Sequence, residues 1–401
     1  MYEEIQVPSA VEPSDTTRQK LHSETPRRHG PRSFGALFIF VGVVQSILFF
    51  AHWAVYETWT SFHAVADPPG ITTLQAVLFL LSVSFVAASL LVHRYSNTFV
   101  HFLYEAAAVW LGLLNFLFVA AFSSWVIYLA GRGLGFRLDR PAIANFAFGL
   151  AALTAVYGML NARRIQVRKV AVRLPNLPAA WRGRLAALVS DIHLGPINGA
   201  RFLRRIVSRI TRLQPDIVFI VGDLFDGNKV KVDELTSPWK GLSASLGSYF
   251  VTGNHEEFSN PAAYLQAIAD SGVRVLNNEK VIVDGLQVVG VNDRDLSNPE
   301  RLRNLLEAAD LTPRQPSILL AHTPNRLDVA EKAGISLQLS GHTHGGQIFP
   351  FTWFTRKIFG EHTYGLKRFG ELITYTSSGA GTWGPPMRVG TSPEIVLIEF
   401  A

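Results

Sequence analysis

Cysteine is absent from the 401 residues. Its absence excludes a disulfide scaffold, thiolate zinc and iron–sulfur sites, and a cysteine nucleophile. Charge is also scarce. Asp, Glu, Lys and Arg make up 17% of the chain, against about 25% in ordinary globular proteins. Hydrophobic residues reach 48%, which excludes a disordered chain. There is no acidic excess: the formal net charge is +6. Residues 1–160 hold nine basic and nine acidic residues, so the whole surplus lies in 161–401, with 28 and 22. Such a balance suits anionic partners: a phosphorylated substrate, an acidic membrane surface or nucleic acid. No nucleic-acid recognition module accompanies it, and no repeat or low-complexity tract appears. The length allows two or three domains.

Residues 1–33 are polar, with Pro8, Pro13, Pro26 and Pro31, and read as a flexible cytoplasmic tail. Four apolar runs follow. Phe34–Tyr56, Thr72–Val92 and Pro141–Leu160 carry no charge, and Phe99–Ala130 carries only Glu105. A spanning helix needs about 20 mostly apolar residues, so residues 34–160 are expected to form a transmembrane region of four helices. Orientation follows the flanking bases. Arg27, Arg28 and Arg32 precede the first run, and Arg163, Arg164, Arg168, Lys169 and Arg173 follow the fourth. Both ends are therefore expected in the cytoplasm, although Arg132, Arg137 and Arg140 in the third loop run against that orientation. The basic stretch after the fourth run also suits anionic lipid headgroups. Glu105, His52, His63 and His101 are expected at interfaces or in helix–helix hydrogen bonds rather than on a transport path.

From about residue 165 the periodicity changes. Strands are predicted over 165–174, 185–190, 216–221, 247–252, 317–321, 336–340, 371–377 and 394–400, with helices over 200–213, 260–271, 299–309 and 324–333. Helix 200–213 sets Phe202, Leu203, Ile206, Val207, Ile210 and Leu213 on one face. Arg201, Arg204, Arg205, Arg209 and Arg212 occupy the other, which reads as solvated.

Five of the strand-like runs end in a side chain able to bind metal. The motifs are Asp191-Ile192-His193, Gly222-Asp223-Leu224-Phe225-Asp226, Gly253-Asn254-His255-Glu256, Ala321-His322 and Gly341-His342-Thr343-His344. Sites in open α/β sheets gather at strand ends. Carboxylate and imidazole suit manganese, iron or zinc, and one carboxylate can bridge two cations. D-x-H and H-x-H in extended backbone would aim both side chains into one cleft, and the glycines admit close backbone approach.

In this order the five motifs resemble those of the calcineurin-like metallophosphoesterase superfamily, over roughly residues 165–401. The segment 379–390 with Pro393-Glu394-Ile395 resembles the membrane-associated bacterial branch that includes YkuE- and YaeI-type phosphoesterases. The resemblance implies an α/β fold, a four-layer α/β/β/α sandwich over 161–401, preceded here by the four-helix transmembrane region. It implies two divalent metal ions, manganese first, with iron, zinc or magnesium as alternatives. Asp191, His193 and His344 would hold one, Asn254, His322 and His342 the other, and Asp223 would bridge them. His255 would face the substrate and protonate the leaving oxygen. Asp226 is expected to orient a histidine; Glu256 is left without a role. The implied reaction is hydrolysis of a phosphodiester, pyrophosphate or phosphomonoester. Membrane anchoring, the basic stretch and an aromatic–basic cluster at Trp353, Phe354, Arg356 and Lys357 point to a lipid-linked substrate. The alternative is a non-catalytic membrane scaffold or sensor that binds metal or a phospholigand; the complete ligand set argues against it.

Overall fold

A computed structural model describes residues 34–226, 232–258 and 261–401. The polar tail with Arg27, Arg28 and Arg32 lies outside the described residues, as do residues 227–231 and 259–260.

Four long helices come first: α1 (Phe34–His63), α2 (Pro68–Arg94), α3 (Thr98–Gly133) and α4 (Arg140–Ala162). Each is long and apolar enough to cross a membrane. The residues up to Ile47 form a unit of their own, of which 34–47 are described; there the helix continues through Gly42, whose carbonyl accepts from Ser46 Oγ at 2.8 Å. The helices outrun the apolar stretches of the sequence. Glu57, expected in the first loop, lies inside α1 and accepts from Ser61 Oγ at 2.9 Å. Asp67 caps α2 by accepting from the Gly70 N–H at 2.7 Å. The first connection thus shrinks to residues 64–67, because capping and i,i+4 bonds satisfy these polar groups within helices. Arg132 and Arg140 likewise belong to α3 and α4, and the Arg140 guanidinium donates to Tyr128 Oη. His52 takes the helix–helix role: its Nε2 accepts from Trp110 Nε1 of α3 at 2.9 Å. Phe79, Leu80, Phe122, Phe146 and Leu153 point outward, an apolar surface that a bilayer would cover.

The rest builds two six-stranded sheets. The strands are β1 (Gln166–Val172), β2 (Leu185–Val189), β3 (Ile217–Val221), β4 (Ser248–Val251), β5 (Arg274–Val275), β6 (Glu279–Val283), β7 (Leu286–Val291), β8 (Ser317–Ala321), β9 (Leu337–Ser340), β10 (Gly365–Phe369), β11 (Leu372–Thr376) and β12 (Glu394–Phe400). One sheet has the order β1-β12-β2-β3-β4-β5 and the other β10-β11-β9-β8-β7-β6. The site-bearing strands β2, β3 and β4 run parallel, as do β8 and β9, so their C-terminal ends face the same way. β3 shows why these strands read as unbroken apolar runs. Phe219 and Val221 enter the core between the sheets, while Val218 and Ile220 pack under α5 (Ala200–Leu213). Both faces are covered, so no alternation survives.

Three cores define four layers. One lies between the sheets. The second joins the first sheet to α5 and α8 (Pro261–Asp270). The third joins the second sheet to α10 (Pro299–Ala308) and α11 (Leu327–Lys332). Short helices α6 (Val232–Thr236), α7 (Asn254–Phe258) and α9 (Asp293–Leu296) complete these layers, and α12 (Phe351–Phe359) follows the last histidine motif. The 353–357 cluster is therefore helical, and Phe351, Trp353, Phe354 and Ile358 are exposed on it.

The long apolar helices are joined to the sandwich. Ile348 and Met387 pack with Phe116 and Ala120 of α3 and Ala151 and Ala155 of α4. Small residues allow the approach: a Cβ on Gly158 would lie 2.8 Å from Val389 Cγ2. The buried Asn161 donates to the carbonyls of Arg388 (3.0 Å) and Thr391 (2.8 Å). Removing that amide in Asn161→Ala leaves two carbonyls without donors, at a cost of about 1–3 kcal/mol. The thermal midpoint of the full-length variant in detergent should fall while its circular dichroism at low temperature stays unchanged.

Candidate metal centre

The five strand ends deliver their side chains to one cleft. Asp191 and His193 follow β2, Asp223 follows β3, Asn254 and His255 open α7 after β4, His322 follows β8, and His342 and His344 follow β9. All seven expected ligands come together in two facing groups. In the first, His193 Nε2 lies 3.0 Å from His344 Nε2, which lies 3.4 Å from Asp191 Oδ1. In the second, His342 Nδ1 lies 3.0 Å from Asn254 Oδ1 and 3.3 Å from His322 Nε2. Asp223 Oδ2 stands between them, 3.8 Å from His193 Nε2 and 3.2 Å from His322 Nε2.

Hydrogen bonds behind the cleft fix which ring atoms point into it. His322 Nδ1 donates to the Val221 carbonyl at 2.8 Å, which turns Nε2 toward the cleft. His193 Nδ1 faces the Asp226 carboxylate at 3.3 Å, with the same result. Asp226 thus orients a histidine, as expected. Lone pairs of imidazole, carboxylate and amide oxygen converge at 3.0–3.4 Å, and carbonyl and carboxylate acceptors hold the ring protons of His322 and His193 behind them. That donor chemistry fits two divalent cations.

The backbone reaches this arrangement through strain. Asp191, His193, Asp223, His342 and His344 all have φ between 49° and 68°, left-handed values that cost a non-glycine residue roughly 1 kcal/mol or more each. The extended backbone expected for D-x-H and H-x-H is therefore not what forms. Each strand turns sharply at its end so that residues i and i+2 both reach the cleft. Space is equally tight: a Cβ on Gly253 would sit 2.2 Å from Asp223 Oδ1, and one on Gly341 2.4 Å from Asp191 Oδ2.

Three residues given no role by the sequence matter here. Glu256 is fully buried and accepts from the N–H groups of Gly253 (2.8 Å), Phe225 (2.9 Å) and Asp223 (3.1 Å). It ties the turn after β3 to the turn after β4. Burial and the charge of Asp223 push its carboxyl up to about 7. Arg388 is also fully buried. Its guanidinium donates to the carbonyls of His344 (2.8 Å) and Gly381 (2.5 Å), and burial brings its pKa down to about 10. Trp383, 57% exposed, sets its ring 5.9 Å from that of His255. The only signals for these residues were a charge next to the GNH motif and a base inside an apolar stretch.

Electrostatics follow the same geometry. Burial opposes the Asp223 carboxylate, but His322, His193 and His255 outweigh it and hold the group well below its ordinary range. Burial lowers His255 and His342; burial and the charge of Arg388 lower His344 much further. His255 donates its backbone N–H to Asp223 Oδ1 at 3.0 Å and keeps its half-buried ring at the mouth.

Glu256→Gln exchanges a carboxylate that accepts three N–H groups for an amide that can accept at one oxygen only. A loss of roughly 2–3 kcal/mol is expected, read as a lower thermal midpoint with metal present and as weaker metal retention on dialysis.

Residues 186–346 match the family model described as calcineurin-like phosphoesterase. A Danio rerio transmembrane protein with metallophosphoesterase domain is 33% identical over 329 residues, covering 74% of this chain and 75% of that protein. The covered share is too long to fit within residues 161–401 alone. An uncharacterized metallophosphoesterase of Aquifex aeolicus is 31% identical over 257 residues, 63% of this chain and 97% of its own. The uncharacterized metallophosphoesterase YkuE of Bacillus subtilis is 28% identical over 270 residues, 63% of this chain and 93% of its own. Likeness over so much of these relatives makes the chain a member of the calcineurin-like metallophosphoesterase family, and so a metal-dependent phosphoesterase.

Proposed function

We propose that this protein is a membrane-anchored phosphoesterase with a dinuclear centre, hydrolysing a phosphodiester, pyrophosphate or phosphomonoester bond in a lipid-linked substrate. Asp191, His193 and His344 would hold one divalent ion and Asn254, His322 and His342 the other, with Asp223 a ligand available to both. The convergence of ligand lone pairs in the cleft carries this reading. The mixture of imidazole and carboxylate favours manganese, with iron, zinc or magnesium as alternatives. Bound there, two such ions would supply charge neutralisation at the phosphoryl group and a water acidic enough to attack it near neutral pH.

The chain's own residues do the rest. Asp226 and the Val221 carbonyl keep the His193 and His322 rings turned toward the cleft. Glu256 locks the turns that place Asp223 and Asn254. His255 stands at the mouth beside Trp383. As the bond from phosphorus to the leaving oxygen breaks, its imidazolium gives that oxygen a proton.

The rim supports a lipid-linked substrate. Beyond Trp383, Pro385 and Met387 lie against Gly112 of α3. The Phe349 carbonyl accepts from Asn115 of α3 at 2.8 Å, and α12 leads from there to Phe359, whose ring is 6.0 Å from that of His342. Lys357 Nζ sits 3.8 Å from the Trp353 ring centroid, a pairing suited to a headgroup region. Both sides of the mouth are thus aromatic and tied to a membrane helix. In the proposed topology the chain spans four times with both termini and the catalytic domain in the cytoplasm. The bond between His63 and Asn145, 3.0 Å, then lies at the outer end.

Purified protein with Mn²⁺ should hydrolyse bis-p-nitrophenyl phosphate. Asp223→Asn should abolish the activity, and full turnover in that variant would overturn the reading. His255→Gln should lower kcat by about 100- to 10,000-fold while two metal ions per chain remain bound. Reporter fusions at the two termini check the topology: both should report cytoplasm.

A further inference from the structure

Outside the metal centre, a cavity of about 890 Å³ opens between the first turns of α3, the end of α4 and the first turns of α5. We propose that it binds the phosphate-bearing headgroup of an anionic membrane lipid. The motif behind it is the arginine face of α5. Arg201, Arg204 and Arg205 do not simply face solvent: they meet Arg163, which caps α4, across this cavity.

The guanidinium groups outnumber the carboxylates around the cavity. All arginine ion pairs among the described residues belong to Arg184, Arg274, Arg294 and Arg301, so none of the four guanidinium groups has a carboxylate partner there. Glu105 and Glu234 also line the cavity, leaving two guanidinium groups in excess before His101 is counted. The remaining positive excess favours an entering anion. The first turn of α5, capped at Gly199 without a side-chain bond, adds its positive dipole end. Arg205 Nη2 donates to the Arg163 carbonyl at 3.1 Å, which holds α5 against the end of α4 and keeps the basic wall in place.

The setting favours lipid over free phosphate. Tyr95, Phe99 and Phe102 are exposed beside the cavity at the same end of α3, and Ala88, Val92, Val100 and Tyr104 pack with Ile197 beneath them. Acyl chains can lie along this apolar surface while the phosphate sits among the arginines, the disposition expected where basic groups meet an anionic leaflet. None of the seven expected ligands, nor His255, lines the cavity, although Gly381, Thr382 and Pro386 of the segment that carries Trp383 and Arg388 do.

The test uses the full chain in nanodiscs of phosphatidylcholine, with and without phosphatidylglycerol. Phosphatidylglycerol should raise the thermal midpoint, and native mass spectrometry after transfer to detergent should show it retained. In Arg201→Gln/Arg204→Gln the retention should weaken about tenfold or more, since each base near a membrane surface contributes several-fold. Hydrolysis of bis-p-nitrophenyl phosphate should be unchanged, which shows that the variant is folded. Arg209→Gln/Arg212→Gln, on the same helix but outside the cavity, should retain the lipid. Equal loss in both double variants would overturn the site, because the effect would then be general basicity. An equal rise in midpoint from inorganic phosphate in phosphatidylcholine discs would overturn its assignment to lipid.

Discussion

Seven polar side chains gathered within 3.0–3.8 Å of one another in one buried cleft are the constraint on which this molecule is built. Burying so many polar and charged groups is costly unless each finds a partner, and the side chains have first to be delivered. Delivery falls to two parallel strand sets whose ends face one cleft, and to left-handed turns at Asp191, His193, Asp223, His342 and His344. The cost of those turns is met by burial: β2, β3, β8 and β9 lie almost wholly inside the cores. The sandwich is thus a rigid frame around a locally unfavourable site.

Much of that frame was legible. The apolar runs at β3, β8 and β12 are bounded by residues that cannot continue a strand, and the five ligand motifs stand directly after such runs. β6 and β7 were not legible, for a physical reason. β7 buries Gln287, whose amide donates to the carbonyls of Thr312 and Gln315 and accepts from the Thr312 N–H. It also contains Gly290, where a Cβ would lie 1.9 Å from the Leu276 carbonyl oxygen. Both residues look like loop in a sequence because their justification is tertiary. The same holds for Glu256 and Arg388, whose partners are backbone groups that no residue pattern announces. α12 was hidden by its own exposure: an aromatic–basic stretch without an apolar partner in the chain does not look like a packed helix.

Membrane and catalytic parts share more than a linker. α3, with 36 residues, extends about 54 Å, well beyond the roughly 30 Å of a bilayer core. Gly112 and Asn115 along it, with Gly158 and Asn161 on α4, receive the segments around Phe349 and 385–391. The second of them also supplies Arg388 beside His344, and Trp383 beside His255 stands two residues before it. Helix packing and site geometry therefore meet in one stretch of about ten residues.

Arg388 gives that meeting a consequence for how the chain can be divided. Its side chain props a histidine of the cleft, while its main-chain N–H donates to the Gly158 carbonyl at 2.9 Å and its own carbonyl accepts from Asn161. A fragment begun at β1 would keep every side chain of the cleft yet strip Met387 of its cover and leave Arg388 hanging from a loose thread. The boundary visible in composition is therefore no place to cut: a soluble version of this enzyme has to carry the last turns of α4 with it, or a surrogate for them.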